Sequence, residues 1–300
     1  MTPIRHRLLS HFLSVYRHRQ IGRAAEAEGV TQPAMTKSIQ KLETLLAVPL
    51  FERQARGAEP TKFAHILFRH AQRIEDEMRY AVTELANVSD GLGGRISIGV
   101  GPSLSLTVFP ACLADVQRRF PRVAFDVVTG VNDQLLPQIV DGSLDVWAGS
   151  VHELDDYPEL VSTEFGVAEM AVFCAADHPL TRATDLAVKD LEGQRWGFFR
   201  DDVIGPNVLR DFLAPFGVHS FETGLRCDSI AQLFGAAALS NLLIYAADTL
   251  AIEAEARGLA RLSFNQKLWS FPLGVAYKPA AGDLSVVRSL VQSLQAQSLR

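Results

Sequence analysis

Apolar positions recur at helical spacing from the start of the chain. Leu8, Leu9, Phe12, Leu13 and Tyr16 share one face of an expected first helix. A second, short helix is expected from about Ile21 to Glu28, with Ala24 and Ala25 as small packing residues. Gly29 follows, where a tight turn needs positive φ. Thr31 is a good N-cap for a third helix, and Pro33 sits in its first turn, where a missing N–H costs nothing. Ile39, Leu42, Leu45 and Leu46 continue that helix on one face. Residues 49–62 change character: Leu50 and Phe51 anchor apolar contacts, and Gly57 and Pro60 punctuate a short hairpin or loop.

From Phe63 to about Val88 the pattern is helical again. Ala64, Leu67, Ala71, Ile74, Met78, Ala81 and Leu85 alternate at spacings of three and four, an a/d seam of about three heptads. Such a helix either zips against a partner or lies on its own domain. Residues 89–94 (SDGLGG) form a flexible hinge by composition. Beyond it the period alternates between two and 3.6. Strands are expected near 95–101, 123–129, 145–149, 167–176, 195–199, 223–227, 242–246 and 271–277. Helices are expected over 103–119, 132–141, 205–215, 229–239, 248–257 and 284–297. The alternation predicts a mainly parallel sheet with right-handed crossovers. So many residues are long for one small sheet, and two α/β subdomains with a cleft between them fit better.

Composition narrows the class. A chain of 300 residues suggests roughly two or three domains. With 48% hydrophobic and 21% charged residues it is ordinary globular material. No run approaches the roughly 20 apolar residues that span a bilayer. Arg5, Arg7, Arg17 and Arg19 flank no long apolar core, so the N-terminus does not read as a secretory signal. Cys112, Cys174 and Cys227 are scattered without metal or disulfide spacing, and a cytoplasmic location is expected.

Charge adds an asymmetry. The net charge is −5, but residues 1–73 hold 12 Lys and Arg against 5 Asp and Glu, a net +7. The rest holds 17 against 29, a net −12. A basic end on an acidic body is the footprint of nucleic-acid binding. Two helices joined by a Gly turn inside that basic end suggest a helix-turn-helix, whose second helix lays its N-terminal residues in the major groove. Those residues are Thr31, Gln32, Pro33, Thr36 and Lys37. Gln can bond adenine N6 and N7, Lys can reach guanine or phosphate, and Thr offers a hydroxyl and a methyl. Arg53 and Arg56 on the following loop would grip phosphate or enter the minor groove.

Several segments together resemble the LysR-type transcriptional regulators: Ala24-Ala25, Val30-Thr31-Gln32-Pro33-Ala34-Met35-Thr36, Ile39, Leu42-Glu43, Pro49-Leu50-Phe51-Glu52-Arg53 and Leu144-Asp145-Val146. The likeness covers essentially the whole chain. It implies an α+β multidomain protein with an N-terminal winged helix-turn-helix over 1–62 and a long dimerisation linker helix over 63–90. A C-terminal two-subdomain α/β effector domain, resembling type 2 periplasmic binding proteins, would cover 91–300. Within it, subdomain I would take about 95–165 and 268–300, and subdomain II about 166–267. The resemblance also implies double-stranded operator DNA and a small-molecule effector as partners, and a homodimer that assembles further into a homotetramer. Two positions depart from the family pattern. Ile21-Gly22 stand where an aromatic residue and a Ser or Thr are common, and His65 stands where Gly is common.

For the effector cleft, strand ends and following turns supply candidates. Pro102, Ser103, Leu104 and Ser105 open a helix after the first strand, where free N–H groups, the dipole and hydroxyls make an anion or carboxylate cradle or serve as ordinary caps, and by resemblance they contact the effector. Thr129, Gly130, Trp147, Ala148, Phe199, Arg200 and Ser229 lie on other loops expected to face it. Trp147 and Phe199 either flank a flat ring or belong to the core. Arg200 either pairs with a carboxylate effector or joins a local ion pair with its neighbours Asp201 and Asp202. An aromatic or small organic carboxylate is the resulting expectation. No Ser–His–Asp order, GxSxG, P-loop or GxGxxG occurs, so neither catalytic residues, cofactor nor metal site is expected, and no membrane partner. The alternative function is a small-molecule sensor that oligomerises without reading DNA.

Overall fold

The computed structural model describes residues 4–54, 57–88, 94–152 and 154–298. It divides into two compact units, one ending at Ala81 and the other starting at Val82. The expected hinge over 89–94 lies outside the described residues except for Gly94.

The first unit holds helices α1 (His6–His18), α2 (Ile21–Ala27) and α3 (Gln32–Leu46), then a hairpin of β1 (Phe51–Gln54) and β2 (Gly57–Pro60). The long helix α4 (Lys62–Val88) follows. Phe12, Leu13, Met35, Leu42 and Leu50 are fully buried in one core. Gly29 has φ +63° between α2 and α3, and the Ala34 amide donates to Thr31 Oγ1 at 3.4 Å to cap α3. The hairpin is seated from two sides. The Glu43 carboxylate accepts from the amides of Leu50 (2.7 Å) and Phe51 (3.2 Å). The Ala58 amide donates to the Arg19 carbonyl at 2.8 Å. A Cβ at Gly57 would stand 2.3 Å from that carbonyl oxygen, so only glycine fits. His65, the departure from the family pattern, finds a partner: its Nδ1 lies 2.6 Å from the Tyr16 hydroxyl, and Tyr16 stacks on Phe68.

The seam of α4 is not uniform. Ala64 and Ala71 are buried in the core of the first unit, whereas Ile74, Met78, Val82 and Leu85 are 43–56% exposed. Its first turns have an intramolecular partner in α1, and only the later turns are open. Gln72 and Asp76 are buried on this helix and hydrogen-bonded to each other at 3.0 Å. Arg17 donates to Gln72 at 2.6 Å, tying α1 to α4.

The second unit is built on one long sheet. In chain order its elements are β3 (Gly94–Val100), α5 (Pro102–Leu106), α6 (Phe109–Arg119), β4 (Val123–Thr129), α7 (Asn132–Val140) and β5 (Val146–Ser150). There follow β6 (Val161–Ala175), β7 (Arg195–Phe199), α8 (Ile204–Leu213), β8 (Glu222–Cys227), α9 (Ile230–Ala238) and β9 (Leu242–Ala247). The last are α10 (Ala251–Ala256), β10 (Leu259–Arg261), β11 (Ser270–Tyr277), α11 (Pro279–Gly282) and α12 (Ser285–Ser298). The sheet order is β4-β3-β5-β11-β6-β9-β7-β8, with β10 paired to β6.

Parallel pairs join β3 to β4 and β5, and β7 to β8 and β9. The expectation of a mainly parallel sheet holds only within each half. Between them, β6 runs out and β11 returns, antiparallel to each other and to their flanking strands. Residues 161–169 of β6 pair with β11, and 170–173 with β9, so one strand passes from one half to the other. The expected single helix over 103–119 also breaks, at Thr107 and Val108. Pro110 has no N–H to give, and its ring would collide with the Leu106 carbonyl. Along β6, Ala171 and Phe173 join one apolar cluster, and Val172 and Cys174 another. The second half is therefore covered on both sheet faces. Asp145, in the Leu-Asp-Val segment, is buried, and its Oδ2 accepts from the Ser97 amide at 2.8 Å, locking β5 beside β3.

Candidate functional site

In the first unit, the N-terminal end of α3 is bare on one side. Met35, Ile39 and Leu42 point into the core, three and four residues apart. Thr31, Gln32, Pro33 and Lys37 are exposed on the opposite side, and Thr36 is half-buried between the two faces. Core packing thus dictates which residues the helix offers outward. Gly22 adds room beside Gln32: a Cβ there would stand 3.9 Å from Gln32 Oε1. Arg53 lies in β1, but its side chain is outside the described residues, as is Arg56 altogether.

In the second unit, a cavity of about 130 Å³ opens where the two sheet halves meet. Pro102, Ser103, Leu104, Gly130 and Trp147, all expected from sequence, line it. Phe199 lines an adjoining chamber of about 120 Å³ together with Pro102 and Ser103. Trp147 is buried, donates from Nε1 to the Ser150 carbonyl at 2.8 Å, and lies so close to Gly149 that a Cβ there would stand 2.1 Å from the indole. It is both core and cavity wall.

Five expected residues do not line either chamber. The Ser105 hydroxyl turns back to donate to the Pro102 carbonyl at 2.7 Å. Thr129 is exposed at the end of edge strand β4. Ala148 has no polar side chain to offer, and its carbonyl accepts from the Gly101 amide at 2.8 Å. The Ser229 carbonyl accepts from Leu233 N at 2.9 Å as α9 begins. Arg200 donates to the Asp228 carboxylate at 3.0 and 3.2 Å, an ion pair formed across 28 residues and not with its neighbours Asp201 and Asp202 as the local alternative had it.

The cavity wall also holds residues that sequence reading missed, among them His152, Met170, Asp202, Tyr245 and Phe271. Tyr245 sits in the apolar strand β9, where no local signal marks it as a cavity residue. Asp202 drew notice only as a neighbour of Arg200. In the fold, the Tyr245 hydroxyl donates to Asp202 Oδ2 at 2.6 Å, and the Gly205 amide donates to Oδ1 at 2.8 Å. Desolvation raises the Asp202 carboxyl above its ordinary value, the two hydrogen bonds pull it back, and the Asp133 charge pushes it up again. Burial, then the Asp202 charge, drives the Tyr245 phenol well above its ordinary value. Asp133, at the start of α7 in the first half, accepts from the amides of Val203 (2.9 Å) and Ile204 (3.1 Å) in the second half. The N-terminus of α8 is thus capped by two carboxylates of the protein itself.

Comparison with known proteins adds to this geometry. Residues 6–65 match the family model described as bacterial regulatory helix-turn-helix protein, lysR family. Residues 89–298 match the LysR substrate binding domain. The chain is 30% identical over 275 residues to the SDS degradation transcriptional activation protein of Pseudomonas sp. (strain ATCC 19151), covering 88% of this chain and 86% of that protein. It is 29% identical over 238 residues to the HTH-type transcriptional regulator PcaQ of Agrobacterium fabrum, covering 79% and 75%. In fold it is similar to a full-length OxyR variant from Pseudomonas aeruginosa, with a TM-score of 0.70 at 15% identity over 98% of this chain and 96% of that one. It is also similar to full-length CbnR complexed with its target DNA, with a TM-score of 0.63 at 14% identity over 98% of this chain and all of that one.

Proposed function

This chain belongs to the LysR family of transcriptional regulators, and from that membership we propose how its parts divide the work. As a LysR-type protein it is a sequence-specific DNA-binding regulator rather than an enzyme, and control by a small-molecule effector is typical of the family. Residues 1–62 read operator DNA through Thr31, Gln32, Pro33, Thr36 and Lys37, with Arg53 and Arg56 on the wing toward phosphate or the minor groove. Residues 63–90 dimerise through the open turns of α4, and dimers pair into a tetramer. Residues 91–300 bind the effector between subdomain I, about 95–165 and 268–300, and subdomain II, about 166–267. Pro102, Ser103, Leu104, Gly130, Trp147 and Phe199 are the effector contacts that the cavity supports. The protein works in the cytoplasm, where its DNA is. Among the described residues no helix is long and apolar enough to cross a membrane.

The observation that carries the DNA assignment is the exposed polar N-terminal end of α3 set on a buried apolar face. Fluorescence anisotropy tests it, with DNA from upstream of the protein's own gene, several salt concentrations and scrambled competitor. Specific binding is expected, with affinity falling by about a thousandfold or more between about 50 and 200 mM salt. Binding no tighter than to scrambled DNA overturns the choice of operator. No binding at any salt overturns the reading of α3 and favours a sensor that does not read DNA.

A further inference from the structure

The charge around the cleft is one-sided. The two adjoining chambers share Pro102, Ser103, Val131, Met170, Asp202 and Tyr245. Among the described residues lining either chamber there is neither lysine nor arginine, and Asp202 is the carboxylate among them. Arg200, the cation expected to receive an acid, is held by Asp228 away from both chambers. The N-terminus of α8, which would suit an anion, is already used, and α5 at the cavity is a single short turn of five residues that opens on Pro102, which has no N–H to offer. Asp202 accepts from the Gly205 amide, and Asp133 from those of Val203 and Ile204. The Tyr245 hydroxyl spends its proton on Asp202 and has none left for an incoming oxyanion. An organic acid placed here would lose its hydration beside Asp202 with neither lysine nor arginine to pair with, and His152, turned against the Phe271 ring, is the one imidazole among the described lining residues.

A donor fares differently. Each Asp202 oxygen takes one hydrogen bond in the protein, whereas a carboxylate offers about four acceptor sites. The protein keeps a partly desolvated carboxylate at the cleft wall, an arrangement characteristic of sites that await a partner. The rest of the wall is apolar and aromatic, with Trp147, Met170 and Phe271 beside it. A dry cavity of about 150 Å³ accommodates a single benzene ring, so a one-ring or short aliphatic body matches the space.

We infer that the ligand of this cleft is a compact apolar molecule that brings a hydrogen-bond donor, an amine or alcohol head, to Asp202, and is not an organic acid. This rests on the reading of the cleft as the effector site, and it replaces the carboxylate expected from the helix start at Ser103 and from Arg200. The ammonium or hydroxyl donates to Asp202 while the ring lies against Trp147 and Phe271.

The test uses the full-length protein and four probes with one ring and different heads: benzylamine, benzyl alcohol, benzoate and toluene. Affinities are read by calorimetry or ligand-observed NMR. Benzylamine or benzyl alcohol should bind at least about tenfold tighter than benzoate, and Asp202→Asn should erase about tenfold of the amine's advantage while toluene is unaffected. The wild-type ranking needs no variant, so poor folding of Asp202→Asn leaves the inference falsifiable. Benzoate binding as tightly as the amine, or an amine advantage that survives Asp202→Asn, overturns the head-group assignment. Toluene binding with no donor preference overturns it too but keeps the cleft as a ligand site. Binding of none of the four overturns the cleft reading and the inference together.

Discussion

Replacing Asp133 by alanine removes one oxygen that holds two backbone amides, those of Val203 and Ile204, at 2.9 and 3.1 Å. The two amides sit at the start of α8, where free N–H groups and the helix dipole favour a negative charge. Hydrogen bonds to charged groups contribute about 1.5–3 kcal/mol each when enclosed. Val203 is 62% exposed, so water replaces much of what is lost there. A discounted loss for the pair is about 1–2 kcal/mol, a factor of about 5–30 in a local equilibrium. Hydrogen exchange by mass spectrometry over residues 203–205 reads this directly. Protection there should fall by about that factor, while the sheet strands keep theirs. Asp133→Asn keeps an acceptor oxygen but loses the charge, and should lie between the two. Because α7 and α8 belong to opposite halves of the sheet, the same change should alter the effector concentration giving half-maximal response. Unchanged exchange at 203–205, or an equal loss of protection throughout the second unit, would refute the local contact as the source of stability.

Gln32→Ala should relax discrimination between operator variants by about 1–3 kcal/mol, and equal discrimination in both proteins sinks the assignment of Gln32 to a base. Met78→Asp places a charge in the open turns of α4. With about 1.5–3 kcal/mol per buried methionine counted twice in a symmetric dimer, association should weaken by about a hundredfold or more, and an unchanged sedimentation coefficient speaks against this face. The folded state holds the Asp202 proton more tightly than the unfolded state does. That contribution is present below the ordinary carboxyl range and is lost as pH rises through the raised value, so ionised Asp202 is a cost at neutral pH. The melting point of Asp202→Asn relative to wild type should therefore rise between about pH 4 and neutral pH, whatever the constant cost of losing one acceptor oxygen, and a difference independent of pH contradicts the sign. Burial raises all three thiols, Cys174 to about 11. An aromatic disulfide reagent should react slowly with the native protein and promptly with the unfolded one, and rapid reaction of the native protein disproves inert, enclosed cysteines.

The legible parts of this molecule are those decided within a few residues. Thr31, Pro33 and Gly29 announce the start of α3 and the turn before it because caps and φ angles are local matters. The same holds for β4 and β7, whose apolar runs have definite ends. The opening stretch of β6 was not legible. Residues 161–166 (VSTEFG) group their polar residues together at 162–164 without alternation, and they become strand by pairing with β11 about a hundred residues later. The break before α6 was readable in principle from Pro110, since proline's effect is also local.

Helix α3 and the cleft divide along the same line. Which residues α3 presents follows from the 3.6-residue period once its apolar face is known, and that face is written in Met35, Ile39 and Leu42. The cleft depends on contacts that no period encodes. Arg200 meets Asp228 28 residues away, Tyr245 meets Asp202 across 43, and Asp133 meets Val203 across 70. Side-chain type alone left Arg200 open between an anionic effector and an ion pair, and gave Tyr245 no role. Strand order decided both, because it placed Asp228 on the guanidinium and aimed the phenol at a carboxylate in the cleft wall. Local residue chemistry was enough to define a helix that offers polar residues outward and a two-lobed α/β domain, while the charge of the cleft arose only when distant strands and loops were brought within hydrogen-bonding distance.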